Sequence, residues 1–86
     1  MHTSHLTTKF GNPAKEQVIH TDETGETFVS YGTPIAHRAK DGTLRLTRYW
    51  NYSSTTNYYR GKFTGYGAPE TRKLIASGDI EVVDSF

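Results

Sequence analysis

Residues 48–63 read RYWNYSSTTNYYRGKF, and the change of hydrophobic spacing inside this stretch decides the fold class. Up to Trp50 the apolar residues alternate with polar ones, which is typical of a β-strand. Beyond it, three aromatic residues follow at intervals of four and three, on one side of a helix: Tyr59, Phe63 and Tyr66. Ser54 is a suitable N-cap for this helix, with Ser53 as the alternative. The stretch therefore predicts a strand followed by a helix.

The segments on either side complete a mixed architecture. A second short helix is predicted from Pro69, a favoured first-turn residue, to Ser77, with Gly78 as its C-terminal stop. Alternating polar and apolar residues predict five strands: Glu16–Thr21, Glu26–Tyr31, Pro34–Lys40, Thr43–Trp50 and Ile80–Val83. The order β-β-β-β-α-α-β indicates an α+β fold. In it, a mainly antiparallel sheet of about five strands carries two short helices packed on one face.

Asp41-Gly42 lies between two of these strands, and this dipeptide is typical of a two-residue type I′ hairpin turn. Such a turn would place Arg38 directly opposite Arg45, with Lys40 beside them, on the solvent face of the sheet. The core-facing set would then be Ile35, His37, Ala39, Leu44, Leu46, Arg48 and Trp50. Like charges directly opposite each other destabilise a sheet. Either both arginines extend into water, or this face binds a partner.

The chain of 86 residues is predicted to form one small domain with an N-terminal arm. Residues 1–14 are polar and end in Gly11-Asn12-Pro13, which indicates a flexible arm. Residues 15–86 then make up a single α+β domain. There is no cysteine, so neither a disulfide nor a thiolate-bound zinc holds the fold.

Charge is distributed unevenly along the chain. Residues 38–62 carry six basic and one acidic side chain, whereas residues 1–37 and 63–86 each carry two basic and four acidic ones. The middle of the chain is therefore basic and its flanks are acidic. This charge distribution does not indicate a general affinity for polyanions. No run of apolar residues is typical of a signal peptide or a membrane span, so a cytoplasmic protein without a membrane partner is expected.

Catalytic and metal-binding motifs are not found in the sequence. The four histidines lack a ligand spacing such as HExxH, and no serine lies in a GxSxG setting. His20 with Asp22 or Glu26 could carry out acid–base chemistry, but no other residue marks a substrate pocket. We therefore expect a protein that is not an enzyme and that holds no cofactor or metal.

Surplus tyrosine, arginine and lysine indicate a binding surface instead, because tyrosine and arginine are enriched at interface hot spots. The candidate partner-binding residues are Arg38, Lys40, Arg45, Tyr49, Tyr52, Tyr58, Arg60 and Lys62. The alternative is a nucleic-acid-binding domain that uses a basic, tyrosine-containing sheet face. Gly61 and Gly65 would permit close approach of the helix to the sheet or to another chain, so the sequence is also compatible with a homodimer.

Three segments resemble small uncharacterised proteins of bacteriophages and mobile elements: SYGTPIA (30–36), YSSTT (52–56) and KLIASGDIEVV (73–83). The resemblance carries no catalytic motif. It implies a small accessory protein that works in the cytoplasm of a host cell. Proteins in that setting often bind and block a host or defence protein, which can be part of a nucleoprotein complex, as anti-CRISPR inhibitors do.

Overall fold

The computed structural model describes residues 2–86, which form one six-stranded sheet and two helices. The strands are β1 (His2–Thr7), β2 (Pro13–Asp22), β3 (Gly25–Ser30), β4 (Thr33–Ala39), β5 (Leu44–Thr47) and β6 (Glu81–Val83). The helices are α1 (Ser54–Thr64) and α2 (Ala68–Ser77), both between β5 and β6 in the chain. The predicted α+β class and element order are confirmed, with β1 added to the predicted strands.

The sheet follows the chain order without rearrangement. Strands β1 to β5 form an antiparallel meander, and β6 returns parallel to β5 after the two helices. A parallel neighbour needs a long crossover connection, and α1 and α2 supply it. Within residues 2–86, the helices pack on one face of the sheet and none packs on the other.

The core lies between the sheet and the helices. Phe28 on β3 and Phe63 on α1 stack with ring centroids 5.9 Å apart, and both are buried. The other buried members of this cluster are Ala14, Ile35, Ala36, Leu46, Tyr59 and Ile80. Tyr59 and Phe63 are core residues as predicted, and Trp50 is half-buried against the same cluster.

Local signals in the sequence fix where the helices begin and end. Ser53, the alternative cap, has extended backbone, and its hydroxyl accepts the backbone N–H of Thr56. Gly65 ends α1 and Gly78 ends α2, each in the left-handed conformation that glycine adopts without cost.

The N-terminal segment corrects a prediction. Residues 2–7 form an edge strand with a register from His2 opposite Thr21 to Thr7 opposite Pro13. The expected flexible arm is therefore wrong for this part, and Met1 lies outside the described residues. Backbone hydrogen bonds to β2 hold β1, and these do not depend on an apolar side-chain pattern. Leu6 packs against the core as its one apolar anchor.

Two of the hairpin turns differ from the prediction. The type I′ turn lies at Tyr31-Gly32, where both residues have positive φ between the paired Ser30 and Thr33. At the next hairpin, Ala39 pairs with Thr43 across a longer turn in which Gly42 has a φ of +92°. This is the three-residue hairpin connection with a left-handed glycine.

The longer turn shifts the register of the predicted hairpin by one residue. Arg38 lies opposite Leu44, and His37 lies opposite Arg45. The prediction that Arg38 and Arg45 face each other is therefore wrong. Since a one-residue shift exchanges the faces of a strand, Arg38 points to the helix side while Arg45 and His37 lie on the helix-free face.

Candidate binding surface

Arg38 is engaged inside the molecule. Its Nη1 lies 3.2 Å from Glu26 Oε1, and its Nη2 donates a hydrogen bond to the backbone carbonyl of Phe63. The guanidinium carbon is also 4.6 Å from the centre of the Phe63 ring. These contacts join β3, β4 and α1, so Arg38 acts as a structural residue in this fold.

Arg60 is likewise enclosed, although the sequence placed it on the outer side of α1. It is 1% exposed, and its Nη1 donates to the backbone carbonyl of Trp50 and to Asn57 Oδ1 at 2.9 Å. Burial lowers the pKa of the Arg60 guanidinium, and the nearby charge of Arg72 lowers it further. The expectation that Arg60 is exposed is wrong, because the loop after β5 folds over it.

Three other candidate residues are exposed, but they lie away from the helix-free face of the sheet. Lys40 is at the tip of the β4–β5 hairpin. Tyr58 and Lys62 are on the outer side of α1, with the ammonium 5.1 Å from the Tyr58 ring centre. Lys62 Nζ also lies 3.4 Å from the carbonyl oxygen of Thr7 in β1.

The helix-free face carries one continuous row of polar side chains. Directly paired residues cross all six strands in the order Thr3, His20, Thr27, His37, Arg45 and Glu81. His20 Nδ1 is 3.1 Å from Thr3 Oγ1, and His37 Nδ1 is 2.8 Å from Thr27 Oγ1. Arg45 forms no ion pair within residues 2–86. The row therefore places donors and acceptors along this face of the sheet.

Phe86 covers part of this row. Its ring lies 5.5 Å from the His37 ring, which explains why His37 is buried on a face without helices. Beside it is a cleft of about 260 Å³, lined by Thr27, Pro34, Thr47, Tyr49, Asp84, Ser85 and Phe86. A second cleft of about 300 Å³ has Asp22, Thr24, Thr27, His37, Arg45 and Phe86 in its walls.

An exposed aromatic cluster stands at the rim of the first cleft. We call it the Tyr49 cluster and define it as Arg48, Tyr49 and Tyr52. The Tyr49 and Tyr52 rings meet edge to face with centroids 6.4 Å apart. Arg48 Nη2 donates to the Tyr49 hydroxyl at 2.8 Å, and this hydrogen bond raises the pKa of Arg48.

Backbone and hydroxyl contacts hold the Tyr49 cluster in place. Thr47 is buried, and its Oγ1 donates to the carbonyl oxygen of Pro34 at 2.7 Å. The backbone N–H of Tyr49 approaches the same Oγ1 at 3.3 Å. The chain thus leaves β5 in a fixed turn that presents the tyrosines, and little ordering remains to be done on binding.

Of the eight predicted residues, the structure brings Arg45, Tyr49 and Tyr52 to this side of the molecule. Arg48 and Phe86 also belong to the surface but were not among the predicted residues. Neighbours in a strand point to opposite faces, but β5 ends at Thr47, so Arg48 and Tyr49 meet in the turn that follows. Phe86 carries no sequence signal, because a single aromatic after a short strand forms no pattern.

No helix among residues 2–86 is long and apolar enough to cross a membrane. The same residues contain no group of three or more histidine or carboxylate side chains placed to hold a metal ion. The described surface is thus a polar sheet face with an apolar cleft and an aromatic rim. An arrangement of this kind can bind another molecule through stacking, hydrogen bonds and apolar contact.

The chain belongs to the family of unknown function DUF8033, whose sequence profile matches residues 3–78. The match covers β1 to α2, so the edge strand and both helices lie within the matched region. No curated protein and no solved structure matches the chain.

Proposed function

We propose that this protein is a small, non-enzymatic accessory protein of phage type that binds and blocks a host or defence protein. The docking surface consists of the Tyr49 cluster and the adjoining cleft beside Phe86. The observation that carries the proposal is the pair of tyrosines, 36% and 64% exposed, on a turn that is already fixed. Folding gives no reason for keeping two large aromatic rings in water at this point.

The composition of the surface fits a protein interface. Tyrosine and arginine are the residue types that dominate interface hot spots. The cleft offers an apolar recess next to them, and the histidine and threonine row supplies a polar border. An apolar centre surrounded by a hydrogen-bonding rim is the usual composition of a protein–protein interface.

Charge favours a protein over a nucleic acid as the partner. One of the basic sheet residues on which the alternative depends, Arg38, is engaged in internal contacts with Glu26 and Phe63. Acidic side chains adjoin this surface as well, since Glu81 pairs with Arg45 in register and Asp84 lines the cleft beside Tyr49. A phosphate backbone requires several unopposed cations, so this surface suits a protein partner with charges of both signs.

The resemblance to phage and mobile-element proteins supplies the setting of the proposal. In that setting a protein of this size acts by occupying a surface that the partner needs for its own work. Blocking then requires only a stable complex, and no catalytic residue has to be placed.

The test is a comparative capture from nuclease-treated lysate of a bacterial host. Wild-type protein is compared with the variant Tyr49→Ser/Tyr52→Ser and with the matched control Tyr58→Ser/Lys62→Gln on the outer side of α1. We expect a protein that is retained by wild type and control but lost with the first variant. Tyrosine truncation at a hot spot costs about 2 kcal/mol or more, which is a loss of about thirtyfold in affinity.

Two results would contradict the proposal. A partner that disappears after nuclease treatment, with an affinity that falls steeply with salt, would indicate nucleic-acid binding. A partner lost equally with both double variants would show that the Tyr49 cluster is not the docking surface. Circular dichroism of each variant confirms beforehand that it is folded.

A further inference from the structure

The two outer edges of the sheet differ in how well they are protected. Strands β1 and β6 are the outer strands, and each has one side without a neighbouring strand within residues 2–86. Strand β6 has three residues and includes Glu81, with Asp79 and Asp84 close by in the chain. Short length and charge are common protection of an edge strand against pairing with another chain. Strand β1 has six residues, HTSHLT, without a proline or an acidic, lysine or arginine side chain. The β1 edge is therefore open to the addition of a strand.

The backbone groups that β1 uses inside the molecule follow from the pairing of β2 with β3. The Tyr31 N–H donates to the Glu16 carbonyl oxygen at 2.9 Å, so Glu16 and every second residue after it in β2 bond to β3. Ile19 is out of phase with Glu16 and therefore bonds to β1, where it lies opposite Ser4. The N–H and C=O groups of Ser4 are thus directed toward β2.

The neighbours of Ser4 direct their backbone groups the other way. Because this direction alternates along a strand, the N–H and C=O groups of Thr3 and His5 point away from β2. Both residues are exposed, and their side chains share the helix-free face. Beyond His5 the register shifts, and Lys62 Nζ lies 3.4 Å from the carbonyl oxygen of Thr7. The regular part of the edge is therefore residues 2–5, with Ser4 between the two outward-pointing residues.

We propose that β1 pairs with β1 of a second copy of this chain, in antiparallel orientation, around a two-fold axis at Ser4. Thr3 of one copy then lies opposite His5 of the other, and each such pair exchanges both backbone hydrogen bonds. The same surface is used on both copies, so the assembly closes at the dimer. The two sheets join into one continuous sheet with six strands from each copy.

A second copy fits this edge because the pairing places no carboxylate, lysine or arginine side chains of β1 against each other. The axis is perpendicular to the sheet, so the helices of both copies lie on the same side of it. The Tyr49 cluster follows β5, and three strands separate β5 from β1. The dimer therefore leaves the proposed docking surface free, and the inference does not depend on the proposed function. The protected β6 edge opposes growth into a longer sheet.

The experiment is sedimentation equilibrium of the full-length protein from micromolar to millimolar concentration. We expect the mass to rise from the 9.7 kDa of one chain to twice that value. His5→Pro removes an N–H that the monomer does not use, and proline is tolerated on an outer edge. It should weaken the dimer by about tenfold or more, because the two-fold axis removes the hydrogen bond twice. Thr3→Lys should also weaken the dimer, since it places a charge on the edge. The matched control Val82→Lys places the same charge on β6 and should leave the dimer unchanged.

Amide hydrogen exchange locates the contact between the two copies. The amide hydrogens of Thr3 and His5 should exchange more slowly in concentrated than in dilute wild-type protein, because they become bonded only in the dimer. The change for Ser4 should be smaller, since its N–H is already bonded to β2.

Three outcomes would overturn the proposal. A mass of one chain at every concentration would show that the β1 edge stays unpaired. A dimer that is as stable in His5→Pro and Thr3→Lys as in wild type, or that is lost in Val82→Lys, would place the contact elsewhere. A mass that keeps rising beyond two chains would show that the contact does not close. Circular dichroism checks that each variant is folded, and Thr3→Lys remains decisive if His5→Pro is unstable, because it changes no backbone group.

Discussion

The guanidinium carbon of Arg60 lies 5.1 Å from the centre of the Trp50 indole, and the same side chain donates a hydrogen bond to the Trp50 backbone carbonyl. Arg72 from α2 approaches that ring as well, at 5.7 Å. A cation over an indole is attracted by the negative face of the ring. These contacts tie the loop after β5 to both helices and explain why a charged residue is found at 1% exposure.

Arg60→Leu should therefore destabilise the protein, although it places an apolar side chain in a buried position. The Trp50 carbonyl and Asn57 Oδ1 would lose their donor, and we expect a loss of about 2–3 kcal/mol in the free energy of unfolding. The matched control Arg72→Leu removes an exposed side chain and should cost about 1 kcal/mol or less. Urea denaturation measures both. Equal losses would contradict the structural role of Arg60.

Arg38 and Arg45 should differ in how much the same substitution costs the fold. Arg38→Gln removes the ion pair with Glu26 and the hydrogen bond to the Phe63 carbonyl, so we expect a loss of about 1–3 kcal/mol. Arg45→Gln should change the stability by about 0.5 kcal/mol or less, because Arg45 forms no ion pair within residues 2–86. Thermal unfolding of the two variants checks this difference. A stable Arg38→Gln protein would support the type I′ register that the sequence predicts.

Two of the turns that contain a residue with positive φ predict opposite changes in melting temperature. Tyr31→Asn relieves a strained backbone and should stabilise the protein by about 0.5–1 kcal/mol. Gly42→Val introduces a β-branched residue at a φ of +92° and should destabilise it by about 1–2 kcal/mol. Because nothing lies within 4 Å of an added Cβ at Gly42, the loss would come from the backbone alone. An unchanged melting temperature in Gly42→Val would rule out the left-handed conformation there.

Acid should weaken the protein partly through two turn carboxylates. Asp22 accepts the Thr24 hydroxyl and backbone N–H, and Asp41 accepts the Thr43 backbone N–H. These bonds lower both pKa values below the ordinary 3.8. Their stabilisation is thus complete above pH 3.8 and is lost as the pH falls through the lower folded-state values. In melting curves recorded from neutral to strongly acidic pH, Asp22→Asn/Asp41→Asn should lose less stability than wild type. Parallel curves for the two proteins would contradict this role of the Asp22 and Asp41 carboxylates.

The fold class could be predicted because its signals are local. Alternation of polar and apolar residues predicts the strands, and the spacing of Tyr59 and Phe63 predicts α1. Gly65 and Gly78 indicate the ends of the helices. Each of these depends on residues within one element or its cap. The edge strand β1 was missed for the same reason, since its pairing with β2 leaves no trace in its own polar sequence.

The candidate site was harder to predict because it depends on register and on a loop. Asp41-Gly42 suits a turn of two residues as well as one of three, and Gly42 has positive φ in both. Only the pairing of β4 with β5 distinguishes them, and it decides the face on which Arg38 lies. Arg60 lies away from the aromatic side of α1, and its burial comes from a loop whose path no local pattern specifies.

The parallel return of β6 to β5 also sets an order of folding. Strands β1 to β5 pair with neighbours in sequence across short turns, so these contacts have low contact order and close quickly. The β5–β6 pairing must wait until both helices have formed between them, because closing a long loop costs entropy before any contact repays it. Strand β6 is therefore the last to join and the first to separate, and its amide hydrogens should exchange with solvent well before those of β3.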